Sequence, residues 1–122
     1  MSDQYLAGLF DGEGCVTYSN KPTLRKGKRR AYAYWIIRLE VSMTHEETIK
    51  TIHQMFDCGT VRPRAKASHQ NLPQWRWRCG HRDALNCARR LVPYSITKKQ
   101  KLESIIKHYE VKDRKILGDA QP

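Results

Sequence analysis

Two carboxylates stand two positions apart in the segment Leu6-Ala7-Gly8-Leu9-Phe10-Asp11-Gly12-Glu13-Gly14. The residues before them read as a short helix, capped by Asp3, with Tyr5, Leu6, Leu9 and Phe10 on its apolar face. The helix is expected to span residues 3 to 10 and to stop in the glycine-rich turn that follows. Asp11 and Glu13 then fall just past a helix C-terminus, where the backbone dipole disfavours negative charge. A divalent cation would relieve that conflict, and Mg²⁺ is commonly held by one or two carboxylates together with phosphate oxygens of a substrate. Other chemistry is less well served. Cys15, Cys58, Cys79 and Cys87 contain no Cys-x-x-Cys pair, and even with His81 their spacing matches no common zinc ligand set, so four reduced thiols are expected. His45, His53, His69, His81 and His108 show no ligand spacing either.

The rest of the chain must position this acidic spot. It has 122 residues, enough for a single domain with a modest core. With 39% hydrophobic residues, three Trp and six Tyr, it is too apolar for a disordered polycation. No apolar run approaches bilayer length, and the first residues lack the basic and apolar regions of a signal peptide, so an intracellular, non-secreted protein is expected. The formal net charge is +11. The cations cluster: Lys21, Arg25, Lys26, Lys28, Arg29, Arg30 and Arg38 share residues 21–38 with no acid at all. Arg62, Arg64, Lys66, Arg76, Arg78, Arg82, Arg89 and Arg90 share residues 62–90 with Asp83 alone. A one-sided field interleaved with Tyr32, Tyr34, Trp75 and Trp77 points to nucleic acid. An anionic membrane would call for a basic amphipathic helix, and the densest cations are not on one.

Periodicity supplies the elements. Cys15 to Tyr18 reads as a strand, Lys21 to Arg30 as a basic loop, and Ala31 to Ser42 as a long strand. In that strand Ala33, Trp35, Ile37, Leu39 and Val41 form the side to be buried, with Tyr32, Tyr34, Ile36, Arg38 and Glu40 opposite. Thr44 and Glu47 form a capping-box pattern for a helix bearing Ile49, Ile52, His53 and Phe56, ended by Asp57-Cys58-Gly59. Residues 60–66 and 74–79 read as two more strands joined by a polar loop. In the second of these, Trp75, Trp77 and Cys79 face the core while Gln74, Arg76 and Arg78 face away. His81 to Leu91 forms a helix, and Thr97 begins a last one to about Lys112. The chain after about residue 113 is expected to be poorly ordered. The order αββαββαα describes an α+β domain, residues 1–122, whose antiparallel sheet is backed by helices on one face.

The nine-residue segment resembles the signature of the LAGLIDADG homing endonucleases, with Phe10, Gly12 and Glu13 standing where that consensus has Ile, Ala and Asp. The element order agrees along nearly the whole chain. The resemblance implies a saddle-shaped sheet that straddles double-stranded DNA, and site-specific hydrolysis of both strands with Mg²⁺, for which Mn²⁺ can substitute. It implies that Glu13 and the main-chain oxygen of Gly12 hold the metal, with Asp11 a supporting acid. Lys98, with Lys99 second, matches a basic residue that assists the site. A single motif implies a homodimer with Ala7 and Gly8 at its axis, and hence a near-palindromic target. Base contacts are expected from Tyr32, Tyr34, Arg38, Arg62, Arg64, Gln74, Arg76 and Arg78, and backbone contacts from Arg25, Lys26, Lys28, Arg29 and Arg30, with Lys66 also counted among the DNA-binding residues. Met43 occupies a position where the family usually has Gln or Asn. That departure keeps open an alternative: a cleavage-inactive relative that binds intron RNA as a maturase, or DNA as a regulator.

Overall fold

A computed structural model of the chain describes residues 2–24, 31–64 and 73–120. The order is αββαββαα, as the periodicity predicts: α1 (Asp3–Glu13), β1 (Gly14–Leu24), β2 (Ala31–Met43), α2 (Glu46–Phe56), β3 (Thr60–Arg64), β4 (Gln74–Gly80), α3 (His81–Leu91) and α4 (Lys99–Ala120). All strand pairs are antiparallel, in the spatial order β1-β2-β4-β3. The basic residues Arg25, Lys26, Lys28, Arg29, Arg30 and Lys66 lie outside the described residues.

The helices cover one face of the sheet. Val16, Ile37, Leu39, Val41, Trp77 and Cys79 bury their side chains there, against Leu6 and Phe10 of α1, Ile49, Ile52 and Phe56 of α2, Leu85 and Leu91 of α3, and Leu102 and Ile105 of α4. Trp77 is the largest fully buried side chain. Its ring stacks on Phe56 at 4.8 Å between centroids, and its indole N–H donates to the carbonyl of Cys58 at 2.9 Å, so its polar atom is satisfied where no water reaches.

Several elements differ locally from expectation. Helix α1 passes through Gly12 and ends at Gly14, where the backbone turns extended and the Gly14 N–H still reaches the carbonyl of Phe10. A Cβ at Gly14 would run into the Phe10 ring. The N-cap is Ser2, whose hydroxyl accepts from the Tyr5 N–H at 3.2 Å; Asp3 is committed instead to Arg90 at 2.7 Å. His45, not Thr44, caps α2, its ring accepting from the Thr48 N–H. The expected Lys21–Arg30 loop gives way to strand as far as Leu24. That stretch includes Pro22, which an edge strand tolerates because one side of it needs no donor. Helix α4 starts two residues late, because Thr97 is bonded elsewhere, and runs on past Lys112. Two aromatics expected in the core lie outside it. Tyr5 is 58% exposed. Trp35 is 39% exposed and stacks on Tyr18 at 4.8 Å, with the His108 ring edge-on.

Candidate functional site

The end of α1 is held by a compact hydrogen-bond set. The Asp11 carboxylate accepts from the Ser95 hydroxyl at 2.5 Å, the Ile96 N–H at 2.7 Å and the Thr97 N–H at 3.3 Å. The Thr97 hydroxyl in turn donates to the Asp11 carbonyl at 3.0 Å. Burial alone would raise the pKa of Asp11, but the bonds from Ser95, Ile96, Thr97 and the Lys98 N–H outweigh it and hold the carboxyl below its ordinary value. Asp11 therefore carries its charge into a ring of donors and ties the α3–α4 connection to the end of α1. Lys98 is the next residue in that tied turn, and its carbonyl accepts the first hydrogen bond of α4, from Leu102.

Glu13 has the opposite surroundings. It is the last residue of α1, exposed, and no ion pair engages it among the described residues. The last turn of α1 contains no basic residue to offset the dipole. The final carbonyls of a helix have no intrahelical donor. That of Asp11 is supplied by Thr97, which leaves the Gly12 oxygen as the hard donor beside Glu13. One carboxylate and one carbonyl at the negative end of a helix fit a hard divalent cation and offer nothing to a soft one. Met43 ends β2 opposite Trp75, half-buried on the core, where its thioether is at most a weak acceptor.

The open face of the sheet carries the expected cations. Register places Arg38, Glu40 and Ser42 of β2 beside Gly80, Arg78 and Arg76 of β4, and then Arg62 and Arg64 of β3 beside Arg76 and Gln74. Tyr34 stands exposed further along β2, and Tyr32 lies on the same strand. Where β2 outruns β4, a cleft of about 440 Å³ opens, lined in part by Tyr34, Arg38, Arg78 and Asp83. Glu40 is the residue that sequence reasoning missed. Its carboxylate lies 3.5 Å from Arg38 and 3.3 Å from Arg78, so two of the expected base readers share one acid. Its position two residues from Arg38 on the same strand face was a visible signal; the cross-strand partner was not. Arg62, Arg64 and Arg76 have no carboxylate partner among the described residues.

The exposed side of α1 carries Gln4, Tyr5, Gly8 and Gly12. A Cβ at Gly8 would meet nothing within 4 Å. Ala7, expected beside Gly8 at a dimer axis, is instead fully buried in this chain's own core. Among the described residues no helix is long and apolar enough to cross a membrane.

This fold is that of the LAGLIDADG homing endonucleases. The homing endonuclease I-CvuI, in complex with its target in the presence of 2 mM Ca, is similar at 23% identity and a TM-score of 0.65 over 97% of this chain and 74% of that one. The LAGLIDADG meganuclease I-CpaMI bound to uncleaved DNA matches at 13% identity and a TM-score of 0.70, over 94% of this chain and 38% of that one. The archaeal intron-encoded I-Vdi141I complexed with DNA matches at 14% identity and 0.64, over 86% and 64%. In a second complex of I-CvuI, with the I-CreI target, the chain spans 63% of the relative's length. No family model and no curated protein matches the sequence. At such identities the likeness is one of fold.

Proposed function

We propose that this chain is one protomer of a homodimeric, Mg²⁺-dependent, site-specific DNA endonuclease of the homing type, cutting both strands of a near-palindromic duplex in a DNA-containing compartment of the cell. The observation that carries this reading is the division of labour at the end of α1: Asp11 is fully engaged by the Ser95–Lys98 turn, while Glu13 is exposed and free of any ion pair among the described residues. Glu13 and the Gly12 carbonyl hold the metal, for which Mn²⁺ can substitute. A divalent ion held there would supply a more acidic bound water and stabilise charge on the scissile phosphate. Asp11 fixes the turn that presents Lys98, whose ammonium neutralises charge gathering on the phosphate. Neither role requires Asp11 to touch DNA.

The sheet's open face lies in the major groove in this reading. Gln74, Arg76, Arg62 and Arg64 read base edges, with Tyr32, Tyr34, Arg38 and Arg78 alongside. Arg25, Lys26, Lys28, Arg29, Arg30 and Lys66 contact phosphates and set the salt dependence. The axis of the dimer runs past Gly8, on the exposed side of α1, where a Cβ would meet nothing of the protomer within 4 Å. Two Glu13 carboxylates then approach the axis, one per strand.

A second reading rests on Met43. A weak thioether acceptor at the end of β2 orders water poorly, which favours a cleavage-inactive relative that binds intron RNA as a maturase or DNA as a regulator. The two are separated by incubating the purified protein with a large library of near-palindromic duplexes and Mg²⁺, and sequencing the cut ends. A discrete cut site is the expected result. Binding of a discrete sequence with no cut strand would overturn the endonuclease reading in favour of the second, and RNA would be tested next.

A further inference from the structure

Three of the four cysteines, distant in sequence, meet beneath the sheet. Cys58 follows α2, Cys79 lies on the inner face of β4, and Cys87 lies on the inner face of α3. The Cys58 and Cys87 sulfurs are 3.4 Å apart, those of Cys79 and Cys87 are 3.9 Å apart, and all three lie within 4.8 Å of one another. Cys79 and Cys87 are buried, while Cys58 is half-buried and gives the cluster a route to solvent. The fourth cysteine, Cys15, is exposed on β1.

Buried cysteines often act as small apolar residues. In that role their sulfurs need not converge. Here three separate elements turn their sulfurs toward one point. A zinc–thiolate bond of about 2.3 Å places the sulfurs of a tetrahedral site about 3.8 Å apart. The two close distances bracket that value, and the third pair, Cys58 and Cys79, lies within 4.8 Å, so a side-chain shift of at most about 1 Å, which the half-buried Cys58 can make, would complete the geometry. The spacing Cys58…Cys79…Cys87 matches no common zinc signature because its ligands come from a turn, a strand and a helix rather than from a single loop.

We propose that Cys58, Cys79 and Cys87 form a binding site for a thiophilic divalent cation of the zinc class. The three thiols release their protons to solvent as the metal binds, and the fourth position, on the Cys58 side, takes a water molecule. The site staples the α2–β3 turn to β4 and α3, and so steadies the edge strand that carries Arg62 and Arg64. It is chemically orthogonal to the Glu13 corner: soft sulfur ligands select zinc or cobalt, whereas carboxylate and carbonyl oxygens select magnesium. The inference stands whether or not the chain cleaves DNA.

The test is a titration of the reduced, metal-free full chain with Co²⁺. A thiolate-to-cobalt charge-transfer band is expected to grow to one equivalent, to vanish on adding Zn²⁺, and to be indifferent to excess Mg²⁺. Cys15→Ser should retain the band, and both Cys87→Ser and the half-exposed Cys58→Ser should lose it. Since Cys87→Ser alters the core, a measurement on the wild type accompanies it: Zn²⁺ should protect the half-buried Cys58 from alkylation and leave the exposed Cys15 reactive. Absence of the band in the folded wild type, its survival in both site variants, or unchanged alkylation with Zn²⁺ would overturn the proposal. So would formation of a Cys58–Cys87 disulfide by hydrogen peroxide, itself reduced to water, in a protein that gives no cobalt band.

Discussion

The corner at the end of α1 and the open face of the sheet solve the same electrostatic problem with opposite signs. At the corner, two acids crowd a helix terminus that is already negative; on the sheet, arginines crowd one another. In each place one residue is committed to holding the local structure. Asp11 takes up the Ser95–Lys98 turn, and Glu40 takes up Arg38 and Arg78. The neighbours without an ion pair among the described residues then differ in kind: a carboxylate, Glu13, at the corner, and the guanidinium groups of Arg62, Arg64 and Arg76 on the sheet. The comparison teaches that charge count alone does not assign function. Of two acids two positions apart, one builds the corner and the other is available to a ligand.

The sharpest way to break this comparison is to treat the two acids alike. Glu13→Gln should lower cleavage by at least about 100-fold, because loss of even an outer partner of a metal ligand costs about 10- to 100-fold. Affinity for the target in Ca²⁺ should be retained, as measured by fluorescence anisotropy. Cleavage within tenfold of wild type would remove Glu13 from the reaction. The open side of α1 comes next. The Cβ of Gly8→Leu meets nothing within 4 Å in the protomer and the position is exposed, so melting should shift little. Overpacking a symmetric contact at about 1–3 kcal/mol should weaken dimerisation by roughly 5- to 150-fold in sedimentation equilibrium. An unchanged dimer would place the axis elsewhere.

Asp11→Asn probes structure rather than chemistry. It keeps an acceptor but loses the charge that strengthens the bonds from Ser95, Ile96 and Thr97. The expected loss is about 1–2 kcal/mol of stability at neutral pH, reduced from the full value of charge-assisted bonds because the carboxylate is partly solvated. The pH dependence fixes the sign. Folding lowers the pKa of Asp11 from its ordinary 3.8, so its contribution is complete above that value and disappears as the pH falls through the folded-state value. Urea melts of wild type and Asp11→Asn should therefore differ at pH 7, and the difference should begin to shrink only as the pH falls below 3.8. A difference that stays constant below that pH would mean that the charge is not what holds the turn.

How much of this was legible in the sequence depended on the range of the interaction. The acidic segment was legible because its nine residues are contiguous and chemically unusual. The faces of β4 were legible because Trp77 and Cys79 alternate with Arg76 and Arg78, and alternation on a half-buried strand has only two outcomes. Trp35 obeys the same alternation, yet it lies where β2 runs beyond β4, and its aromatic neighbours among the described residues are Tyr18 and His108. Ser2 and His45 cap where Asp3 and Thr44 were expected, a one-residue choice decided by tertiary partners such as Arg90. The meeting of Cys58, Cys79 and Cys87, and the pairing of Glu40 with Arg78, arise only once the strands are in register.

Glu40 gives the smallest expected effect and the finest test of the comparison. If it holds Arg38 and Arg78 in a fixed geometry, Glu40→Gln should release two cations without altering the sheet's shape. Released guanidinium groups move to phosphates, so the slope of log affinity against log salt should steepen by about 1 to 2. Affinity for random duplex should rise severalfold, while the ratio of specific to random binding falls. The Arg78 Nε, buried and without a hydrogen-bond partner among the described residues, marks a side chain fixed by its surroundings as well as by Glu40, so Arg38 should account for the larger part of the change. Arg38→Gln in the Glu40→Gln background should therefore restore most of the original salt slope. If both variants bind random and specific duplex as the wild type does, then Glu40 is a bystander on the face, and the symmetry between the corner and the sheet fails on the sheet side.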